Sequence, residues 1–175
     1  MKIGIFGGSF DPIHNGHLML ASSAQLELEL DKVIFVPCNI PNYGDKVILT
    51  DVEDRIAMVS KCMDGVNFDI CLIDIERKGI SYTIDTVKDL KKRFPDDELF
   101  LIIGPDCVED FHKWKDYEQI KKYAKPMFAM QDFYCPSIAI RGTLIRKLVK
   151  EKMSIKGLVP EKVEKYIKEF ELYRR

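Results

Sequence analysis

Apolar residues in this chain gather into short dense runs, separated by stretches where they recur every three or four positions. KIGIFG (2–7), KVIFVP (32–37), VNFDICLIDIE (66–76), ELFLIIG (98–104) and PMFAM (126–130) read as five strands. They are rich in β-branched and aromatic residues, and glycine or proline stops several of them, as in strands buried on both faces. Helical patterns lie between them. Residues 16–30 place Leu18, Ala21, Ala24, Gln25 and Leu28 near a 3.6-residue period. Thr50-Asp51-Val52-Glu53 has the spacing of a capping box, and Ile56, Val59 and Met63 follow it. Residues 80–94 read as a second long helix ended by Pro95; 143–152 and 160–171 read as two C-terminal helices, the last opening on Pro160. Residues 38–49 are loop-like, and a polar, aromatic region follows Gly104.

Alternating strands and helices predict an α/β fold: a single Rossmann-like domain over residues 1–175, with a doubly wound parallel sheet of about five strands and C-terminal helices. Crossovers in such a sheet are right-handed. Ligands bind beyond the carboxyl ends of its strands, near the point where strand order reverses. Gly7-Gly8, Pro37, Glu76 and Gly104 fall at those predicted ends.

Composition narrows the function classes. A net charge of −1 gives no global attraction to nucleic acid or to an anionic membrane, so any polyanion must be held by a local cluster. No apolar run approaches the ~18 residues of a membrane span, and the N-terminus lacks a signal-type apolar segment. A cytoplasmic protein with neither nucleic-acid nor membrane partner is expected. The five cysteines (38, 62, 71, 107 and 135) are odd in number and unpaired in spacing, which argues for reduced thiols rather than a disulfide framework or a zinc site.

The densest chemistry is at the start, where GGSFDPIHNGH (7–17) holds two of the chain's three histidines. Gly4, Gly7 and Gly8 do not satisfy GxGxxG, and no GxxxxGK[ST] occurs, so dinucleotide-cofactor and P-loop readings lose support. What remains is a strand, a glycine turn and a helix start at Asn15-Gly16-His17. Free amides and a positive dipole end attract phosphate there, and glycines let the backbone approach it closely. His14 and His17 would flank that start as donors to phosphate oxygens. The alternatives are a plain capping turn with surface histidines, or a metal pair that lacks a third ligand nearby.

GGSFDPIHNGH resembles the HxGH signature of nucleotidylyltransferases with its preceding (S/T)FDP segment. ISYTIDTVKDL (80–90), FLIIGPDCVEDFHKW (100–114) and SIKGLVPEKVEKYIKEFELY (154–173) are similar to bacterial nicotinate-nucleotide adenylyltransferases, a resemblance that spans nearly the whole chain. It implies transfer of AMP from ATP to nicotinate mononucleotide, by direct attack on the α-phosphate with pyrophosphate leaving and Mg²⁺ screening the phosphates. Alternative acceptors are nicotinamide mononucleotide, phosphopantetheine, or a polyol phosphate with CTP. A degenerate, non-catalytic nucleotide-binding homologue is the alternative of a different class. A homo-oligomer is compatible with the sequence.

The resemblance also assigns roles. His14, His17 and Arg146 become catalytic; Gly7, Gly8, Ser9, Phe10, Gly104, Asp106 and Thr143 bind ATP; no side chain of the protein is expected as a metal ligand. Tyr82, Thr83, Thr86, Trp114 and Lys46 bind the acceptor, with the single tryptophan stacking on the pyridine ring, or alternatively anchoring a core or lid. The expected ISSTxIR-like triphosphate string is here IRGTLIR (140–146), with Thr143 able to cap its helix. Arg141 and Gly142 stand where the pattern has serines, and Arg141 adds a charge that either contributes a phosphate contact or blocks one. The loop PCNIPNYGDK (37–46) lacks the family's Pro-Pro-His-Lys arrangement, and the stretch between Trp114 and Ile140 is shorter than the family's. Asp54 and Arg55 read as members of a helix, Asp54 as part of a solvated ion pair.

Overall fold

The structure is a computed structural model that describes residues 1–42, 48–63, 65–136 and 139–174. Lys46 lies outside the described residues. Among the described residues there are seven strands: β1 (Lys2–Gly8), β2 (Lys32–Pro37), β3 (Ile40–Pro41), β4 (Phe68–Ile70), β5 (Ile80–Ser81), β6 (Glu98–Ile103) and β7 (Lys125–Phe128). The helices are α1 (Asn15–Glu27), α2 (Val52–Ser60), α3 (Ile73–Arg77), α4 (Thr83–Arg93), α5 (Tyr117–Tyr123), α6 (Gly142–Lys150) and α7 (Glu161–Glu169). Five strands form one parallel sheet in the order β4-β2-β1-β6-β7, and β3 pairs with β5 in a small parallel sheet of its own.

Strand order reverses at β1. From there the chain runs outward through β2 to β4, then crosses back to β6 on the other side of β1 and on to β7. The crevice beyond the carboxyl ends of β1 and β6 is therefore the switch point where such sheets bind ligands. Alternation along the buried strands sends Ile3 and Ile5 of β1 to one face with Ile34, Ile84, Val87 and Leu90, and Phe6 to the other with Leu20, Ala24, Phe35 and Met58. Two apolar layers, one on each face, make the sheet doubly wound as the sequence pattern leads one to expect.

Several local expectations are corrected. The run 66–76 is not one strand: β4 ends at Ile70, and Ile73–Arg77 turns into α3, which places Glu76 on a helix rather than at a strand end. Asp74 on α3 is buried and accepts hydrogen bonds from the Thr86 hydroxyl and the Arg77 guanidinium, both at 2.6 Å. That polar anchor could not form on a strand continuing along the sheet edge. The predicted helix 80–94 begins only at Thr83, because Ile80 and Ser81 pair with Ile40 and Pro41. The aromatic region after Gly104 holds two 3₁₀ turns and α5.

The capping box at Thr50 does not form. Asp51 is the N-cap of α2 and makes no side-chain capping bond, while the Thr50 hydroxyl donates to Asp11 Oδ1 at 2.7 Å. Among the described residues Asp54 has no ion pair of the expected kind; it accepts from the Tyr166 hydroxyl at 2.9 Å. Its neighbour Arg55 is 2% exposed, the largest of the fully buried side chains. Arg55 Nη1 donates to the carbonyls of Ser9 (2.9 Å) and Cys38 (2.8 Å), tying together the chain exits from β1 and β2. Its Nε has no hydrogen-bond partner among the described residues. Arg55→Met would strand both carbonyls away from water and is expected to cost about 2–4 kcal/mol. Thermal unfolding should register this as a fall of roughly 5–15 °C in Tm; an unshifted Tm would mean the two loops are held by something else.

Candidate active site

The turn after β1 is built around two histidines that cap the helix they introduce. His14 is the N-cap of α1 and His17 its third helical residue. The His17 amide donates to His14 Nδ1 at 3.3 Å, and the His14 amide donates to His17 Nδ1 at 3.2 Å. This is the reciprocal capping-box arrangement with imidazoles in place of the usual hydroxyl and carboxylate. Both Nδ1 atoms accept from backbone N–H groups, so each neutral ring carries its proton on Nε2. The rings stack with centroids 3.5 Å apart and planes 15° from parallel. Capping thus fixes two imidazoles side by side at the start of α1.

Gly16 makes this packing possible. A Cβ there would lie 3.1 Å from His14 Nδ1 and 3.2 Å from its Cε1, tighter than ordinary contact. Beneath the pair, the Phe10 ring meets His17 edge-on at 5.2 Å and also packs against Phe6 and Phe35. Phe10 holds a positive φ of 50° while 1% exposed, so packing imposes a backbone conformation that its side chain disfavours.

Asp11 is the hub of the turn, and nothing local in the sequence marks it as such. It is 4% exposed. Its carboxylate accepts from the Leu49 amide (2.8 Å), the Thr50 hydroxyl (2.7 Å) and the Tyr173 hydroxyl (2.8 Å). Arg146 Nη1 donates to the Asp11 carbonyl at 2.6 Å and lies 3.8 Å from Asp11 Oδ2. Gly142 leaves room for that crossing, since a Cβ on it would sit 3.1 Å from both Arg146 Nη1 and the Asp11 carbonyl oxygen. Arg146 is thereby brought to the histidine turn from the far end of the chain.

Thr143 does not cap α6. Arg141 is the N-cap, without a side-chain capping bond, and Thr143 is exposed in the first turn. Arg141 reaches across to Asp106, 3.6 Å away, just beyond the carboxyl end of β6. Gly104 and Asp106 follow β6 and lead into a 3₁₀ turn. The residues expected around ATP therefore converge from three places: the turn after β1, the end of β6 and the start of α6.

On the other side of β1, a cleft is lined by Gly7, Gly8 and Ser9 together with Tyr82, Thr83, Thr86, Trp114 and Lys115. A Cβ on Gly7 would meet nothing within 4 Å, so the strand end faces open space. The small β3–β5 sheet and a bond from the Asn39 amide to Ser81 Oγ (2.8 Å) position Tyr82 and Thr83 at the start of α4. Thr86 sits deeper; it is buried and its hydroxyl donates to Asp74. Burial alone would lower the Arg77 pKa, but Asp74 and Asp89 outweigh it and hold the guanidinium above its ordinary value. Asp74 is consequently a neutralised anchor rather than a bare charge under the cleft. Trp114 is half-buried, with its ring edge-on to Phe111 at 5.3 Å. It serves both as a core anchor and as a wall of the cleft.

A different cleft, at the β4 edge of the sheet among Lys32, Phe68, Cys71 and Arg93, contains none of these groups. The chemistry converges at the switch point instead.

Known proteins resemble this chain in sequence and in fold. The family model described as Cytidylyltransferase-like covers residues 5–148. The chain is 38% identical over 188 residues to the "Probable nicotinate-nucleotide adenylyltransferase" of Thermus thermophilus, spanning 99% of this chain and 100% of the relative. It is 37% identical over 185 residues to the nicotinate-nucleotide adenylyltransferase of Bacillus subtilis, spanning 98% of each. The solved structure of Plasmodium falciparum nicotinic acid mononucleotide adenylyltransferase complexed with NaAD shares the fold, with a TM-score of 0.80 at 21% identity over 98% of this chain and 97% of that one.

Proposed function

The chain belongs to the nicotinate-nucleotide adenylyltransferases, and on that premise we propose that it transfers AMP from MgATP to nicotinate mononucleotide, giving nicotinate adenine dinucleotide and pyrophosphate. A phosphate oxygen of the mononucleotide attacks the α-phosphorus; the new P–O bond forms as the bond to the β-phosphate oxygen breaks, and pyrophosphate leaves. No protein nucleophile takes part, so catalysis consists of positioning and charge stabilisation. The Nε2–H groups of His14 and His17 stabilise charge growing on the α-phosphate. Arg146 steadies the leaving pyrophosphate, its guanidinium fork keeping donors beyond the one spent on Asp11.

The observation that carries this reading is the shared Gly7–Ser9 turn. It leads directly into the stacked histidines and also forms the edge of the cleft with Tyr82, Thr83 and Trp114. A phosphate at the α1 start and a pyridine ring on Trp114 can thus belong to one reaction. Mg²⁺ arrives with the nucleotide as part of the substrate; among the described residues no three His, Cys, Asp or Glu side chains converge as a ligand set. Among the described residues no helix is long and apolar enough to cross a membrane. Both substrates are charged metabolites that do not cross a bilayer unaided, which supports a cytoplasmic site for the proposed reaction.

An acceptor panel tests the proposal. With MgATP, pyrophosphate release is expected to be fastest with nicotinate mononucleotide and at least tenfold slower in kcat/KM with nicotinamide mononucleotide. Phosphopantetheine should give none, and CTP should not replace ATP. Preference for any other acceptor would overturn the assignment while leaving the reaction class standing.

A further inference from the structure

Lys115 is the only cationic side chain among the described residues that line the acceptor cleft, and nothing in the chemistry described so far uses it. Its ammonium lies 4.1 Å from the centroid of the Tyr82 ring, a cation–π contact that holds the charge beside the start of α4. Its one carboxylate contact among the described residues is long: Asp85 Oδ2 is 3.8 Å away, and the two side chains are 48% and 37% exposed. An exposed pair of that kind is worth little and is readily exchanged for another anion. Trp114 precedes Lys115 in the chain and shares the cleft with it. Asp74, the other charge at the cleft, is bonded to Arg77 and Thr86.

We propose that Lys115 reads the charge of the acceptor's ring substituent, selecting a pyridine carboxylate over the neutral carboxamide. This rests on the reading of the chain as a nicotinate-nucleotide adenylyltransferase. A ring lying on Trp114 carries its substituent toward Tyr82, Thr83 and the ammonium. There a carboxylate gains a charge-assisted hydrogen bond and the favourable end of the α4 dipole. A carboxamide presents no charge and gains neither in full. Tyr82 acts as the platform that keeps the lysine over the cleft, and Asp85 is the counter-ion the substrate displaces.

The test compares Lys115→Met, which keeps the aliphatic stem and removes the charge, with Lys115→Arg, which keeps the charge. For each, kcat/KM is measured with nicotinate and with nicotinamide mononucleotide at saturating MgATP, with Tm as a control on folding. The ratio of the two kcat/KM values is expected to fall about 10- to 100-fold in Lys115→Met, mostly through KM for the nicotinate substrate. Lys115→Arg should restore most of the preference. An equal fall for both acceptors, or an unaltered ratio in an active Lys115→Met protein, overturns the role of Lys115 alone. Failure of the unsubstituted chain to use nicotinate mononucleotide overturns the parent reading and this inference with it.

Discussion

Replacing His17 by glutamine will leave the protein folded and take away most of its turnover. Glutamine at the third helical position is a normal member of a capping box, so its side chain can still accept from the His14 amide as His17 Nδ1 does now at 3.2 Å. What it lacks is the imidazole stacked on His14, whose N–H is the donor to phosphate in the proposed mechanism. Loss of one preorganised donor to a developing phosphate charge costs about 10²–10³ in kcat. His17→Ala removes the donor and the cap together, so a similar kinetic loss should come with about 1 kcal/mol of lost stability. The pair of variants separates the two functions of one residue. If His17→Gln keeps kcat within a few-fold, the histidine is only a cap, and the mechanism proposed for this turn is wrong.

Asp11→Ala is expected to be the most damaging change to stability within the site. Three donors now satisfied by one buried carboxylate, from Leu49, Thr50 and Tyr173, would be left inside without an acceptor. A cost of about 3–5 kcal/mol follows from leaving several buried donors unpaired. That corresponds to a Tm lower by roughly 10–15 °C for a chain of this size. Activity should fall as well, because the turn that Arg146 grips through the Asp11 carbonyl would lose its shape. Asp11→Asn keeps one acceptor oxygen and should retain part of both. Burial, with the Asp11 carboxylate beside it, pushes the Tyr173 phenol above its ordinary value, so it remains a donor at any working pH. Its raised folded value makes that contribution complete below the unfolded pKa of about 10 and progressively lost as pH rises further. A Tm for Asp11→Ala within 2–3 °C of the unsubstituted chain would show that the hub is not what holds the turn.

The contrast between these two residues explains how much the sequence disclosed. The five main strands were legible because β1, β2 and β6 are buried on both faces, and their apolar runs need no tertiary context to be recognised. The histidine turn was legible as chemistry but not as architecture. Histidine is not among the usual N-cap residues, so the reciprocal cap had no familiar spelling. Thr50 and Glu53 had that spelling and do not form the cap, since Asp11 takes the Thr50 hydroxyl from 39 residues away. Distance along the chain separates the legible contacts from the hidden ones. Asp11 reaches Tyr173 across 162 positions, and Arg146 reaches Asp11 across 135. No local window contains both partners of such a bond. Arg55 was hidden for the same reason, since nothing adjacent marks an arginine on α2 as fully buried. The stretch 66–76 failed differently. Its first half is a strand and its second a helix, and period alone cannot separate two such short apolar pieces.

Pyrophosphate chemistry tests the central claim most directly. The chain should release pyrophosphate from MgATP only when a pyridine mononucleotide acceptor is present, fastest with nicotinate mononucleotide, in a one-to-one ratio with the dinucleotide formed. Labelled pyrophosphate should not exchange into ATP when the acceptor is absent, because direct attack leaves no adenylylated protein to reverse. Exchange without acceptor would reveal a covalent intermediate, and tight ATP binding with no pyrophosphate from any acceptor would reveal a nucleotide-binding protein that has lost the reaction; either result contradicts the account.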